Sequence, residues 1–398
     1  KKTKDKVLPK WTGFGKLNQT YNFSVFIADS SGIENVIIDP TYRLGDDYML
    51  NNRLKGNTKY SLDYGINKHP DWKFYELKAR PGVGYNSYDG IKLGINMKSG
   101  YLGEHHIINS FFLINSTFLN DQIYSNKPGN DIFSYGLNYS TSLDKYVKNS
   151  TFYSSIKHLD GLDAHSFSLK IYDRYKENSI KIGFKGMIRQ DYNDLNYLLN
   201  ENLWGPYGDP SSGKYNSIFS VNLSHKYKYV SGEGDIDLSL RSSSWLSDYS
   251  FSQITFSTIN ESKFYGFDIK TRLFAQTGFG KNFPIESMLF AAGANPEEMM
   301  NYDLSRSAGL ISKDAADYGI GTNHFHVAGG LNLRGYSGNY MLENSDNGIV
   351  NTNYGIAGIS MNIEISYINY LRSLTKNYSG LRFLNELPID SYIFYDIG

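Results

Sequence analysis

Long runs of period-two alternation restrict this chain more than any other feature. In 90–98, Ile91, Leu93, Ile95 and Met97 alternate with Lys92, Gly94, Asn96 and Lys98. In 217–229, Phe219, Val221, Leu223, Tyr227 and Tyr229 alternate with Ser220, Asn222, Ser224, Lys226 and Lys228. The same pattern holds for Ile236, Leu238 and Leu240, and for Ile359, Met361, Ile363, Ile365 and Tyr367. Successive side chains of a strand point to opposite faces, so each run is a strand with one apolar and one polar face.

About fourteen such segments are expected, centred near 76, 95, 115, 136, 155, 169, 184, 223, 240, 255, 269, 328, 361 and 394. Most run about 9–12 residues or longer, the length a tilted membrane strand needs. Soluble strands average about 5–6 residues. Composition alone fits a soluble all-β protein, but strand length favours an all-β, antiparallel transmembrane β-barrel, apolar outside and polar inside. Ser87-Tyr88-Asp89-Gly90, Asp160-Gly161 and Ser231-Gly232-Glu233-Gly234 read as hairpin turns. The stretches 191–215 and 278–322 read as long loops on the opposite side, with a short helix over Pro296–Met300.

Composition narrows the partners. The chain has 398 residues with 40 basic and 40 acidic side chains, so it lacks the basic excess that nucleic acid requires. It has no cysteine, which excludes disulfides and thiolate metal sites. Its 34 tyrosines suit strands and the membrane–water boundary, where a ring has one apolar and one wet end. No run of about 18 apolar residues occurs, so no membrane helix is expected. No apolar h-region follows Lys1-Lys2, so the chain reads as mature or as a piece of something longer. Residues 1–58 lack barrel-length alternation and read as the tail of a preceding domain or a linker. Residues 59–398 read as the barrel.

Three segments in order carry a resemblance. Gly329-Gly330-Leu331-Asn332-Leu333-Arg334-Gly335-Tyr336 is similar to the Gly-Gly…(Val/Leu)-Arg-Gly-(Tyr/Phe) motif of the Omp85 superfamily, which includes the BamA and TamA insertases and the two-partner secretion transporters. Ser360–Ile365 resembles that superfamily's next strand, with its inward acidic residue. Phe394-Tyr395-Asp396-Ile397-Gly398 resembles its Phe-x-Asp-x-Gly strand. The resemblance implies a loop folded back into the lumen, its motif Leu333, Arg334, Gly335 and Tyr336. By alternation Glu364 and Asp396 face inward, and a guanidinium in a partly desolvated lumen needs such partners. Arg334 is therefore expected to pair with Glu364, Asp396 or both. The family has sixteen strands, two of them after the Phe-x-Asp-x-Gly strand, so the resemblance implies that about two are missing here. A second resemblance runs through Asp39–Leu44, Asp46 and Met49–Asn52, which look like the end of an M1-type metallopeptidase region. Bacteroidota-type versions of that region run into a membrane barrel, and Tyr85–Gly94 resembles the barrel entry. The zinc-binding His-Glu-x-x-His of those peptidases is absent from this chain.

Other polar groups offer little chemistry. His105-His106 and the pair His324 and His326 lack a third ligand at a metal-site spacing and read as polar rim or lumen residues. Glu297-Glu298, Asp314 and Asp317 read as a solvated loop or a weak Ca²⁺ site rather than as acid and base. No nucleophile elbow or phosphate-binding loop is present. The expectation is a non-enzymatic chain with no metal or cofactor, placed in the bacterial outer membrane among lipids and lipopolysaccharide. Three functions follow: membrane anchor or conduit for an attached domain, such as a metallopeptidase; BamA/TamA-like insertase or translocator working with assembly or secretion proteins; or diffusion porin.

Overall fold

The computed structural model describes residues 35–41, 48–63, 71–86, 90–116, 132–159, 162–189, 215–291, 293–299, 328–334, 340–341, 351–352, 354–367 and 392–398. The alternating segments form one fourteen-stranded sheet. Its strands are β1 (Thr58–Leu62), β2 (Tyr75–Asn86), β3 (Gly90–Tyr101), β4 (His105–Asn115), β5 (Phe133–Ser142), β6 (Ser150–Leu159) and β7 (Leu162–Tyr172). They continue as β8 (Asn178–Arg189), β9 (Tyr215–Tyr229), β10 (Gly232–Ser243), β11 (Ser250–Phe264), β12 (Phe267–Asn282), β13 (Gly358–Ser366) and β14 (Tyr392–Ile397). Neighbours in sequence are neighbours in the sheet, and all pairs are antiparallel except β1 with β2.

Two details depart from the sequence reading. The segment near 328 adds no strand: 328–334 is irregular, and β12 pairs directly with β13 from Asp268↔Ser366 to Gln276↔Gly358. Gly330 and Asn332 both have positive φ, 48° and 55°, which breaks an extended run. The fourteenth strand is instead the short, parallel β1. The strand ends also do not sort the short turns to one side. From β2 to β14 strand direction alternates strictly, so the turn 230–231 lies at one end of the sheet, whereas the C-terminal ends of β2, β6, β8 and β12 lie at the other.

One face of the sheet is apolar and uncovered. Leu93 is 56% exposed, Ile182 42%, Leu240 42% and Leu273 44%, and such residues recur from β3 to β13. Soluble proteins rarely show contiguous apolar patches beyond a few hundred Å². The other face curves around chain segments that it binds: residues of β4, β6, β7, β8, β9 and β11 cluster with Phe283, and two touching segments reach from β8 to β14. At the long-loop end this concave face is not polar. Phe111, Leu113, Leu159, Leu162, Met187, Ile218 and Phe251 form a buried cluster there with Phe283. At the opposite end Tyr101, fully buried, donates its hydroxyl proton to Trp72 O (2.8 Å) and accepts from Met49 N (3.2 Å). That contact docks the 3₁₀ turn Met49–Asn52 beside β3.

Candidate functional site

The site is built from β12, β13, β14 and the stretch 328–334. Register sets its wall: Asn362 lies opposite Arg272 and Asp396, and Glu364 opposite Phe394. Residues two apart on a strand share a face, so Asn362, Glu364, Phe394 and Asp396 line one surface.

Arg334 meets this wall. Its Nε donates to Asp396 Oδ2 (2.8 Å), its Nη2 to Asp396 Oδ1 (2.6 Å) and its Nη1 to Glu364 Oε1 (2.6 Å). The Arg334 backbone N–H also donates to Asp396 Oδ2 (3.0 Å). The guanidinium lies 3.9 Å from the centroid of the Phe394 ring, a cation–π contact. A planar fork against a carboxylate, stacked on an aromatic ring, is a geometry lysine cannot copy. The hydrogen bonds to Asp396 outweigh burial and hold the guanidinium charged more firmly than usual.

The backbone before Arg334 is tied to the same wall. Asn362 Nδ2 donates to Asn332 O (2.9 Å) and to Asp396 Oδ1 (3.0 Å). Arg272 donates to Asn362 Oδ1 (3.0 Å) and to Gly330 O (2.7 Å). Leu333 is buried, and its N–H donates to Ala291 O (2.9 Å).

A second clamp lies in the 283–299 segment. Glu297, 7% exposed, accepts from Arg241 Nη2 on β10 (2.6 Å to Oε2) and from Lys185 Nζ on β8 (3.0 Å to Oε1). Burial pushes its carboxyl up, but Arg241 and Lys185 outweigh burial and hold it well below the usual carboxylate range. The solvated-loop and Ca²⁺ readings of Glu297 therefore fail, because two wall cations already neutralise it. Glu298 caps its own turn, accepting from Asn295 N (3.0 Å) while Asn295 Oδ1 accepts from Glu298 N (2.8 Å). Burial raises the Glu298 carboxyl above its ordinary value.

The two segments touch where the glycines stand. A Cβ on Gly329 would lie 2.7 Å from Ala294 Cα, and one on Gly330 would collide with Phe290 O. Leu331 N–H donates to Phe290 O (3.0 Å). The Gly-Gly pair is thus the contact surface between the segments, which spacing alone did not reveal.

Of the residues singled out in the sequence, Leu333, Arg334, Glu364 and Asp396 come together. Gly335, Tyr336, His324, His326, Asp314 and Asp317 lie outside the described residues. His105 packs on Tyr48 (4.9 Å between ring centroids), and His106 Nδ1 lies 2.7 Å from the Tyr139 hydroxyl. Sequence reasoning missed Lys185, Arg241, Arg272 and Asn362. Their only signal was parity, which places them on the polar face without naming a partner.

No protein-family model matches the chain, and no curated protein matches it. Among solved structures it is similar to BamA from Haemophilus ducreyi lacking POTRA domains 1–3. The identity is 12% and the TM-score 0.37, over 73% of this chain and 53% of that one. The chain thus spans about half the length of that structure.

Proposed function

We propose that this chain is an outer-membrane β-barrel of the Omp85 type, serving as membrane anchor or conduit for an attached domain, with clamped segments obstructing its lumen. The observation that carries this reading is the double clamp. Arg334 ties one segment to β13 and β14, and Glu297 ties another to β8 and β10. A diffusion porin needs an aqueous passage, whereas here the apolar ends of β4, β6, β7 and β8 pack with Phe283 across the concave face. The uncovered apolar face supports the membrane location, since lipid is the solvent that such a surface suits.

Planar-bilayer conductance of the reconstituted chain tests the obstruction. Wild type is expected to be nearly silent, and Glu297→Ala with Arg334→Ala to conduct. Large, steady wild-type conductance would return the porin reading. Depletion in cells separates anchor from insertase: other barrel proteins still assemble if the chain is an anchor.

A further inference from the structure

The concave face carries a basic cluster that neither clamp uses. Lys170 on β7 and Lys181 on β8 are directly opposite in the ladder. Like charges at that position repel, with Cβ atoms only about 5 Å apart. Four other lysines of the sheet have carboxylate partners: Lys78 has Glu76, Lys185 has Glu297, Lys228 has Glu233 and Lys270 has Glu261. Among the described residues, Lys170 and Lys181 have no ion pair. Asp173, the nearest carboxylate in sequence, is turned into its own hairpin, accepting from Asn178 Nδ2 (2.7 Å) and Glu177 N (2.9 Å).

Two phenols complete the cluster. Lys170 Nζ lies 4.9 Å from the Tyr172 ring centroid, and Lys181 Nζ lies 5.5 Å from that of Tyr153. The Tyr153 and Tyr172 hydroxyls are 3.3 Å apart. Only one of the two can donate to the other, so at least one O–H remains for a ligand. Two ammonium groups and a spare hydroxyl donor thus share one half-buried stretch of the concave face, and among the described residues no carboxylate pairs with either lysine.

We propose that Lys170, Lys181, Tyr153 and Tyr172 form a binding site for a phosphate group, whose several acceptor oxygens match these donors and whose charge cancels the repulsion. The site needs only the concave face and stands whether or not the sheet spans a membrane. The phosphate comes either from a free solute or from a lipid headgroup.

The test uses the full chain folded in a neutral detergent, unfolded thermally in inorganic phosphate or in chloride at matched ionic strength. Phosphate is expected to raise the wild-type midpoint by several degrees more than chloride does. The double variant Lys170→Gln/Lys181→Gln should lose that increment and, in chloride, unfold no earlier than wild type. Lys181→Arg, which keeps the charge, should retain the increment. Tyr153→Phe/Tyr172→Phe should weaken phosphate affinity at least threefold with both lysines intact. Micelles doped with an anionic phospholipid distinguish the sources: an increment without free phosphate assigns a headgroup, and an increment only with free phosphate assigns a solute. An equal phosphate increment in wild type and the lysine double variant would overturn the site, as would no wild-type increment up to tens of millimolar.

Discussion

Arg334 offers the sharpest quantitative test. Its guanidinium side chain is 9% exposed, Asp396 is 6% exposed and Glu364 is 29% exposed. Removing one partner of a buried pair strands the other charge, which costs roughly 3–5 kcal/mol. The Phe394 stack adds about 1 kcal/mol. Arg334→Ala should therefore lower unfolding free energy by roughly 4 kcal/mol, measured by urea unfolding in micelles with tryptophan fluorescence. The two acids should not be equivalent. Asp396 accepts three bonds from Arg334 and one from Asn362, whereas Glu364 accepts one. Asp396→Asn keeps the shape but removes charge-assisted bonds, worth about 2–3 kcal/mol. Glu364→Gln touches a more solvated contact and should cost under about 1 kcal/mol. Arg334→Lys keeps the charge without the fork and should recover less than half of the alanine loss. An Arg334→Ala cost below about 1 kcal/mol, or equal costs for the Glu364 and Asp396 variants, would rule out Arg334 as a buried clamp on the wall.

Three further outcomes follow from the same contacts. Gly330→Ala places a Cβ against Phe290 O at a residue with φ of 48°, and should cost about 1–3 kcal/mol in the same unfolding assay. Gly355→Ala has nothing within 4 Å of its Cβ and is the matched control. The Glu297 carboxyl is held below its ordinary value, so its contribution is present above about pH 4.5 and lost as pH falls below that. Glu298, held above its ordinary value, contributes oppositely: its favourable neutral form is present below about pH 4.5 and lost as pH rises through the raised value. Acid unfolding of wild type against Glu297→Gln isolates the first effect, and the variant should show the smaller loss on acidification. Leu240→Arg puts a charge on the uncovered apolar face and should cost about 2–4 kcal/mol on folding into vesicles. Its neighbour Ser239→Arg, on the concave face, should be tolerated, and equal behaviour of the two would count against lipid as the solvent of the apolar face.

Legibility in the sequence followed the reach of each physical signal. Parity is local, so Ile359 to Ile365 revealed both the β13 strand and the direction of Glu364. Parity also placed Asp396 opposite Tyr395 and Ile397, on the face where Arg334 meets it. The Glu297 clamp had no such signal, because Lys185 is 112 residues away and Arg241 is 56. Nothing in Glu297-Glu298 distinguishes a carboxylate bound by the wall from one in water. β1 gives no strand signal because five residues are too few to show a period, and its parallel pairing with β2 leaves no hairpin turn in the sequence. The segment near 328 read as a strand because periodicity does not register the left-handed backbone at Gly330 and Asn332. The apolar end of the concave face was missed for a related reason. Phe111, Leu159 and Met187 sit at inward positions where the pattern predicts polarity, and only the packing of Phe283 explains them.

The two clamps have opposite charge logic. In one, an acid of the segment meets cations of the wall: Glu297 with Lys185 and Arg241. In the other, a cation of the segment meets acids of the wall: Arg334 with Glu364 and Asp396. Exchanging the segments between sites would set Arg334 against Lys185 and Arg241, and Glu297 against Asp396, leaving like charges facing each other in partly desolvated surroundings. Each segment therefore fits one stretch of wall, β8–β10 or β13–β14. Contact at Gly329 and Gly330 couples them, because Phe290 O accepts from Leu331 while Arg272 holds Gly330 O from the wall. Releasing either clamp loosens the surface on which the other segment rests. Segment and wall are thus expected to unfold as one cooperative unit from β8 to β14, as the proposed obstruction requires.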